Sequence, residues 1–298
     1  MTNNKTTSAT LAALFAQIIF GFSFMATKIS LSYASPMTVI ADRYIVAFIG
    51  LSAVMLITRT RIRVRGGIWK LVMMSVFQPL LYFIFESYGI KLTTSAFSSV
   101  MISLIPVVSM ISAIFVLKEF PSPMQYFFTA LSVGGVVIMA ISGKSDGTVT
   151  LGGIVLLFGA VVSSVAYNIS SRKISKEFTV FERTYAMTLI GLVSFVGIAL
   201  AENIKNPIAV VSGFANPGFT GAIVYLGICS SVVAFLLLNY ANTHLPVAKT
   251  TVFSNATTVV SVVAGTVFLN EPFSAEAVVA TIMIVVGVFG VQKLNVRT

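Results

Sequence analysis

Glu86 is the side chain best suited to chemistry in this sequence, because it is a lone carboxylate inside a long apolar stretch. Gln78, Tyr82, Glu86 and Gly89 are separated by four, four and three residues, so in a helix they share one face. A polar group is costly in hydrocarbon unless it is satisfied, so such a carboxylate marks the interior of a helix bundle. We predict that Glu86 meets a cationic group or carries a proton in a cavity. The alternative is that it lies near enough to the outer interface to pair with Lys91.

Hydroxyl and amide side chains form a second polar feature, on two further apolar runs. Ser99 and Ser103 align, at an offset of 152 residues, with Thr251 and Asn255. We interpret the two runs as symmetry-related helices that line a solute path. The alternative is close helix packing through small hydroxyl residues, which return their hydrogen bonds to their own helix. The amide of Asn255 favours binding, since its own turn alone cannot satisfy it.

Gln17, Tyr167 and Asn239 complete the candidate set, and each lies inside an apolar run. A tyrosine offers a flat apolar wall with one polar handle, which suits an amphipathic small solute. Because the candidate cavity holds few charges, we expect a neutral or zwitterionic, partly apolar solute. The predicted substrate-binding residues are Gln17, Gln78, Tyr82, Glu86, Ser99, Ser103, Tyr167, Asn239, Thr251 and Asn255. Glu86 is also the candidate for proton coupling.

Two acid–base neighbours, Asp42-Arg43 and Glu182-Arg183, each lie early in an apolar run. We expect each to be a neutralised pair that fixes its helix, which is a structural role.

Enzymatic chemistry has no support in the sequence. There is one Cys and one His, no His/Cys/carboxylate cluster for a metal, no glycine-rich phosphate loop and no nucleophile–base pair. We therefore predict no metal and no cofactor. A membrane-embedded enzyme and a non-transporting membrane scaffold stay as alternatives to a carrier.

The elements that must position these side chains are membrane-spanning helices. The chain is 57% hydrophobic and 9% charged, whereas an average soluble domain is about 25% charged. A span needs roughly 20 apolar residues, and long continuous runs favour helices over a barrel. Ten runs meet this description: 9–27, 36–58, 70–90, 94–117, 122–142, 149–171, 179–201, 217–241, 246–269 and 274–292. The predicted fold is therefore an all-α integral membrane protein with ten transmembrane helices.

The orientation follows from Lys and Arg residues in the loops. With a cytoplasmic N-terminus, twelve of them lie in inside segments and four in outside segments, which puts both termini in the cytoplasm. The net charge of +10 is explained by this bias, so nucleic acid is not an expected partner. The predicted location is the inner or plasma membrane.

The second half of the sequence repeats the first. Leu117-Lys118-Glu119 returns as Leu269-Asn270-Glu271, again at an offset of 152 residues. A repeat of five spans must enter the bilayer the opposite way the second time. Such inverted repeats are typical of carriers that rock two halves about a central site. We place the first repeat at 1–145 and the second at 146–298. Small-residue faces on spans 5 and 10 predict tight helix packing or a homodimer.

Several of these motifs resemble a known family. Phe20-Gly21-Phe22-Ser23-Phe24, then Lys28, Pro36 and Arg43, resemble the opening of an EamA repeat. Leu117-Lys118-Glu119 and Leu269-Asn270-Glu271-Pro272, each before a Gly-rich final span, resemble its close. Two such repeats cover nearly the whole chain. It departs from the family at Phe20, where Trp is common, and at Asn270, where a basic or small residue is common.

The resemblance implies a ten-span member of the drug/metabolite transporter superfamily, built of two inverted five-helix repeats. Spans 1–4 and 6–9 would surround a central cavity, and spans 5 and 10 would pack outside it. The implied function is secondary transport of a small metabolite, an amino acid or related amphipathic compound, by alternating access. Export is the implied direction, with facilitated or proton-coupled movement. Because the motifs are structural, the substrate itself is not specified.

Overall fold

The computed structural model describes residues 2–60, 62, 66–117, 122–145, 149–245, 250, 253–270 and 274–293, and within them ten helical spans follow one another. Six of these, α1 to α3 and α6 to α8, are long and apolar enough to cross a membrane, judged by length and composition. The prediction of an all-helical membrane fold with ten spans is confirmed. The spans are α1 (Thr2–Leu31), α2 (Pro36–Thr58), α3 (Ile68–Lys91), α4 (Ser95–Ile102 continued by Ile105–Leu117), α5 (Pro123–Ser145), α6 (Leu151–Ile174), α7 (Val180–Glu202), α8 (Pro217–His244), α9 (Ser254–Leu269) and α10 (Ala275–Lys293).

The start of α7 shows why one of the predicted acid–base pairs is absent. The Thr179 backbone N–H donates to Glu182 Oε2 at 2.8 Å, and the Glu182 N–H donates to Thr179 Oγ1 at 3.2 Å. This reciprocal arrangement satisfies two amide groups that a helix start otherwise leaves unpaired. Glu182 therefore caps α7, and the prediction that it forms a neutralised pair with Arg183 is wrong.

Two spans are interrupted where proline removes a backbone donor. In α3, Pro79 disfavours the helical conformation of the residue before it, and Gln78 is extended at φ −147° and ψ 117°. In α4, Pro106 cannot donate to the carbonyl of Ile102, and the helix breaks just before it, at 103–104. Both breaks lie in the middle of a span, where the freed backbone must be satisfied within the protein.

The packing of the helices follows the inverted repeat, in which α1 to α5 correspond to α6 to α10. Helix α1 packs on α8 and α9, and its counterpart α6 packs on α3 and α4. Helix α2 packs on α7 and α8, while α7 packs on α2 and α3. Each contact therefore has a counterpart under exchange of the two halves. The two five-helix repeats interlock, so that most helices contact the opposite half.

Helices α5 and α10 pack on each other. A Cβ atom at Gly135 would lie 2.7 Å from the Ala280 carbonyl oxygen, and one at Gly287 would lie 2.6 Å from the Phe128 carbonyl oxygen. Glycine at these two positions thus allows the close approach of the two backbones. These small residues are used for packing within the chain, and the homodimer stays a prediction.

Basic side chains join the first and third helix of each half. Lys28, near the end of α1, donates to the carbonyl oxygens of Ile90 and Thr93 at the end of α3, at 3.0 and 2.5 Å. Arg172, near the end of α6, donates to the Asn242 carbonyl oxygen near the end of α8, at 2.9 Å. A cation at a helix C-terminus pairs with its unsatisfied carbonyls and its negative dipole end. These contacts hold each half together.

Candidate functional site

A central cavity lies between the two halves, lined by α1 to α4, α6, α8, α9 and Thr250, which precedes α9. The empty space between its lining residues, including the open space at its mouth, is about 590 Å³. Among the described residues, α5, α7 and α10 contribute nothing to its lining. The lining therefore agrees with the helices that the resemblance implies, except that no described residue of α7 lines the cavity. The polar lining consists of Gln17, Ser23, Arg43, Gln78, Tyr82, Glu86, Ser164, Asn168, Thr250, Ser254 and Thr257.

Of the residues predicted to bind substrate, the cavity brings four together: Gln17, Gln78, Tyr82 and Glu86. Four others are buried elsewhere, namely Ser99, Ser103, Tyr167 and Asn239. Thr251 and the side chain of Asn255 lie outside the described residues.

The carboxylate of Glu86 faces the cavity and is 4% exposed. Its Oε1 accepts a hydrogen bond from the Tyr82 hydroxyl at 2.9 Å, one helical turn away. Among the described residues it forms no ion pair with Lys91, which is exposed at the end of α3. Glu86 therefore belongs to the cavity wall, and the interfacial alternative is not what the structure shows.

Gln78 reaches the same cavity from the interrupted part of α3. Its side chain is 5% exposed, and no described group donates a hydrogen bond to its Oε1. A buried acceptor without a partner is unfavourable, so a bound molecule with a donor group would satisfy it. Gly89, the fourth residue predicted to share this helical face, packs on Leu157 of α6 instead.

Arg43 of α2 is the cation in the described lining of the cavity and is 3% exposed. Its Nε donates to Ser231 Oγ at 2.7 Å and its Nη2 donates to Ser230 Oγ at 2.8 Å, both on α8. Its guanidinium carbon lies 4.1 Å from the centre of the Phe83 ring, within the range of a cation–π contact. This side chain joins α2 of the first half to α8 of the second.

Asp42 does not neutralise Arg43, so this second predicted pair is also wrong. Both carboxylate oxygens of Asp42 are buried and accept no hydrogen bond from any described residue. Adjacent side chains on an α-helix point about 100° apart, so Asp42 and Arg43 do not face each other. The same geometry explains why Glu182 and Arg183 diverge.

Aromatic rings form the apolar walls of the cavity. Phe20 of α1 and Phe235 of α8 meet edge to face, with ring centres 5.2 Å apart. Phe83 of α3 lies 5.1 Å from Tyr82 and 6.2 Å from Phe235, both in T-shaped arrangements. Such contacts fix the rings and stabilise the wall beyond simple burial. The wall therefore suits a flat or branched apolar group.

Two amides of the cavity lining, Gln17 of α1 and Asn168 of α6, each accept a hydrogen bond from a side chain of the second half. Gln17 Oε1 accepts from Thr257 Oγ1 at 2.7 Å, across the two halves. Asn168 Oδ1 accepts from Asn242 Nδ2 at 3.0 Å, which leaves the Asn168 amide donors for other partners. Gln17 is among the residues predicted to bind substrate, whereas Asn168 is not in that set.

Tyr167 and Asn239 belong to a separate buried network around Arg183. The Tyr167 hydroxyl donates to Asn239 Oδ1 at 2.9 Å, and Asn239 Nδ2 donates to Thr184 Oγ1 at 3.0 Å. Arg183 donates to Ser171 Oγ at 2.6 Å and to the Asn239 carbonyl at 3.0 Å. The network ties α6, α7 and α8 of the second half together. Its members bond mainly to one another, with Arg183 Nε left without a partner among the described residues, and the predicted role of Tyr167 and Asn239 in binding stays a prediction.

Ser99 and Ser103 lie where α4 packs, and each returns its hydroxyl to its own helix. Ser99 Oγ donates to the Ala96 carbonyl at 2.8 Å and Ser103 Oγ to the Val100 carbonyl at 2.6 Å. The Ser99 carbonyl accepts from Thr258 Oγ1 of α9 at 3.3 Å. Farther along, Ser261 Oγ donates to the Ser95 carbonyl at 3.2 Å. We call these two contacts the α4–α9 seam. They match the alternative that Ser99 and Ser103 serve close helix packing.

The functional residue that sequence reasoning misjudged is Arg43. An arginine in a span faces a bundle interior or a cavity almost without exception, and this signal was present in the sequence. Because Asp42 is adjacent in sequence, Arg43 was interpreted as half of a neutralised pair and not as a cavity residue. Hydroxyls such as Ser23 and Ser164 carried no signal of their own, because most serines in spans serve packing.

Chemically, the cavity can bind a small amphipathic molecule. Its described lining offers one cation, one carboxylate, three amides and several hydroxyls within aromatic walls. Among the described residues, no group of three or more His, Cys, Asp or Glu side chains is placed to hold a metal ion.

Comparisons with known proteins agree with the fold. A profile of the EamA-like transporter family matches residues 7–141 and 151–292. The "Uncharacterized transporter YcxC" of Bacillus subtilis (strain 168) is 33% identical over 297 residues, covering 97% of this chain and 94% of the relative. A "Probable terminal-alkyne amino-acid exporter" of Streptantibioticus cattleyicolor is 27% identical over 227 residues, or 76% of this chain and 70% of the relative.

A solved structure, "Crystal structure of protein", superposes with a TM-score of 0.70 at 19% identity, covering 96% of this chain and 98% of that one. At this identity the likeness shows the fold alone. The family profile covers both halves in turn, and the YcxC match runs along almost the full length of both proteins. The chain therefore belongs to the EamA-like transporter family and is a multi-pass membrane transporter.

Proposed function

We propose that this protein exports an amino acid, or a closely related amphipathic zwitterion, by alternating access. The observation that carries the proposal is the central cavity, which holds Arg43 and Glu86 within aromatic walls. A zwitterion brings both charges that such a site can pair, and an apolar side chain suits the rings. The similarity to an amino-acid exporter supports the same solute class and direction.

Alternating access needs two halves that can rock about the bound solute. The two repeats, which we divide at residues 145 and 146, interlock through α1 and α6 and also meet along α2–α7 and along the α4–α9 seam. In the predicted orientation the seam lies toward the outer side, because α4 begins on that side with Ser95, which Ser261 contacts from the middle of α9. The seam contacts are two hydroxyl–carbonyl hydrogen bonds, which are weak enough to exchange for water during a cycle.

Glu86 is the proposed proton-coupling residue. It is the one carboxylate among the described residues that line the cavity, and a buried carboxylate is costly when it is charged and unpaired. A proton or the ammonium group of a solute can each relieve this cost, but both cannot do so together. Competition for Glu86 would therefore exchange one proton for one solute molecule.

Transport can be tested with the purified protein in proteoliposomes. We expect counterflow of at least one of the twenty standard amino acids, each presented as a labelled tracer, above protein-free liposomes. Ser164→Trp should block the cavity, whereas Val193→Trp, at a position 67% exposed toward lipid, should leave transport intact. If well-folded protein moves none of the twenty, the proposed substrate class is wrong.

A further inference from the structure

The guanidinium of Arg43 lacks a carboxylate partner among the described residues. The ion pair among the described residues joins Lys70 and Glu177 at 2.6 Å, and neither residue lines the cavity. Glu86 shares the cavity but lies beyond ion-pair distance from Arg43, and its Oε1 accepts from Tyr82. Asp42 is directed elsewhere and accepts nothing from the described residues. The Glu86 carboxylate acts on Arg43 across the cavity without contacting it, so the guanidinium can pair directly with an anion from outside.

The hydrogen-bonding capacity of Arg43 points the same way. A guanidinium carries five N–H donors, and Nε and Nη2 use one each on Ser231 and Ser230. Nη1 donates to no described residue. The free donors lie on the planar group that pairs with carboxylates in a two-pronged arrangement.

The position of Arg43 is fixed from two sides before any solute binds. Ser230 and Ser231 are neighbours on a π-helical stretch of α8, Tyr225–Ala234. The wider turn of a π-helix brings consecutive side chains closer to one face than an α-helix does. Phe83 closes the opposite side of the guanidinium with its ring. A donor group that is already held in place loses little freedom on binding, which favours affinity.

We propose that Arg43 binds the carboxylate group of the transported solute, with Gln78 and Glu86 accepting hydrogen bonds from its ammonium group. This assignment rests on the proposed function and adds to it the residue that selects for a carboxylate. Gln78 is the independent observation, since its buried Oε1 faces the cavity without a donor. Arg43 is thus a substrate-binding residue of the first half, held by serines of the second half.

The test compares an amino acid with its primary amide, which keeps the ammonium group and the side chain but has no carboxylate. The amino acid is the one with the strongest counterflow among the twenty. Inhibition of its counterflow by unlabelled acid and by unlabelled amide gives an acid-to-amide preference. We expect wild-type protein to prefer the acid at least about tenfold, because a site built to pair a group rejects analogues that lack it.

Variants then assign this preference to Arg43. Arg43→Gln should reduce the preference to about one, and Arg43→Lys should retain part of it, since a lysine keeps the charge without the fork. Arg183→Lys is the matched control, because Arg183 is the counterpart in the second half, is fully buried and lies outside the cavity. It should keep the wild-type preference.

The outcomes separate this inference from the proposed function. Absence of any counterflow in wild-type protein would overturn both. Wild-type transport with equal inhibition by acid and amide would overturn the role of Arg43 alone, and this result does not depend on any variant folding. Wild-type preference retained by Arg43→Gln would do the same. Loss of preference in Arg43→Gln, with Arg183→Lys unchanged, would establish the inference.

Discussion

Replacing Glu86 by glutamine should uncouple transport from the proton gradient. The variant keeps the shape of the side chain and an oxygen that can accept the Tyr82 hydroxyl, now 2.9 Å from Oε1. It cannot take up a proton. Exchange of solute for solute should persist in part, because Arg43 and the aromatic wall are untouched, while movement driven by a pH difference should cease.

The size of the effect follows from the number of carboxylates in the cavity. Glu86 is the one carboxylate in the described lining, so a cycle exchanges at most one proton on it. A difference of one pH unit is worth about 1.36 kcal/mol per proton, which is about a tenfold ratio of solute concentrations. Wild-type protein should approach this ratio, with the solute gathered on the more acidic side. Glu86→Gln should give a ratio of about one.

The assay is steady-state distribution of a labelled amino acid across proteoliposomes that carry a gradient of one pH unit. Potassium and valinomycin on both sides hold the membrane potential at zero, so that protons provide the driving force. Glu177→Gln is the matched control, since Glu177 is exposed, pairs with Lys70 and lies outside the cavity. A Glu86→Gln variant that still builds a tenfold ratio would refute the reasoning. A wild-type ratio that does not respond to the pH gradient would show facilitated transport instead.

Three further predictions test the seam, the α5–α10 packing and the buried network. Ser95→Cys with Ser261→Cys, joined by a short cleavable thiol crosslinker in a background without the native cysteine, should stop counterflow until the link is cleaved; unaffected transport would show that the α4–α9 seam does not open. Gly135→Ala should destabilise the protein by about 1–3 kcal/mol, because its Cβ would lie 2.7 Å from the Ala280 carbonyl oxygen. Gly134→Ala should not, because its Cβ would lie 3.6 Å from the nearest atom of Met283. Equal melting temperatures of the two variants in detergent would contradict this. Arg183→Gln should lower the free energy of unfolding by at least about 3 kcal/mol, since hydrogen bonds to charged groups contribute about 1.5–3 kcal/mol each; unchanged stability would mean that the network is dispensable.

The sequence predicted the scaffold well, since the signals for it are local. Runs of apolar residues and the spacing of polar ones locate ten helices, because a backbone in hydrocarbon must satisfy its own hydrogen bonds. The echo of Leu117-Lys118-Glu119 in Leu269-Asn270-Glu271 indicated duplication. Gln78, Tyr82 and Glu86, which the sequence places on one face of α3, line one cavity, even though Pro79 interrupts the helix there.

The serine residues show what could not be predicted from the sequence, namely which face of a helix lines the cavity. Ser99 and Ser164 look alike in sequence, yet Ser99 packs in the α4–α9 seam and Ser164 lines the cavity. A hydroxyl can return its hydrogen bond to its own helix, so its presence does not say which face is open. Tyr167 and Asn239 satisfy one another and Arg183, an arrangement that depends on three helices meeting.

The sequence by itself therefore determined that this chain is a ten-span bundle of two inverted repeats, and that Glu86 is exceptional. The tertiary structure decided that Arg43 faces the same cavity as Glu86 and that Asp42 does not. The physical reason is that local spacing fixes relative directions around one helix, whereas the partner in each direction depends on how helices from both halves pack. Arg43 owes its position to Ser230 and Ser231, which lie almost two hundred residues away in the opposite repeat.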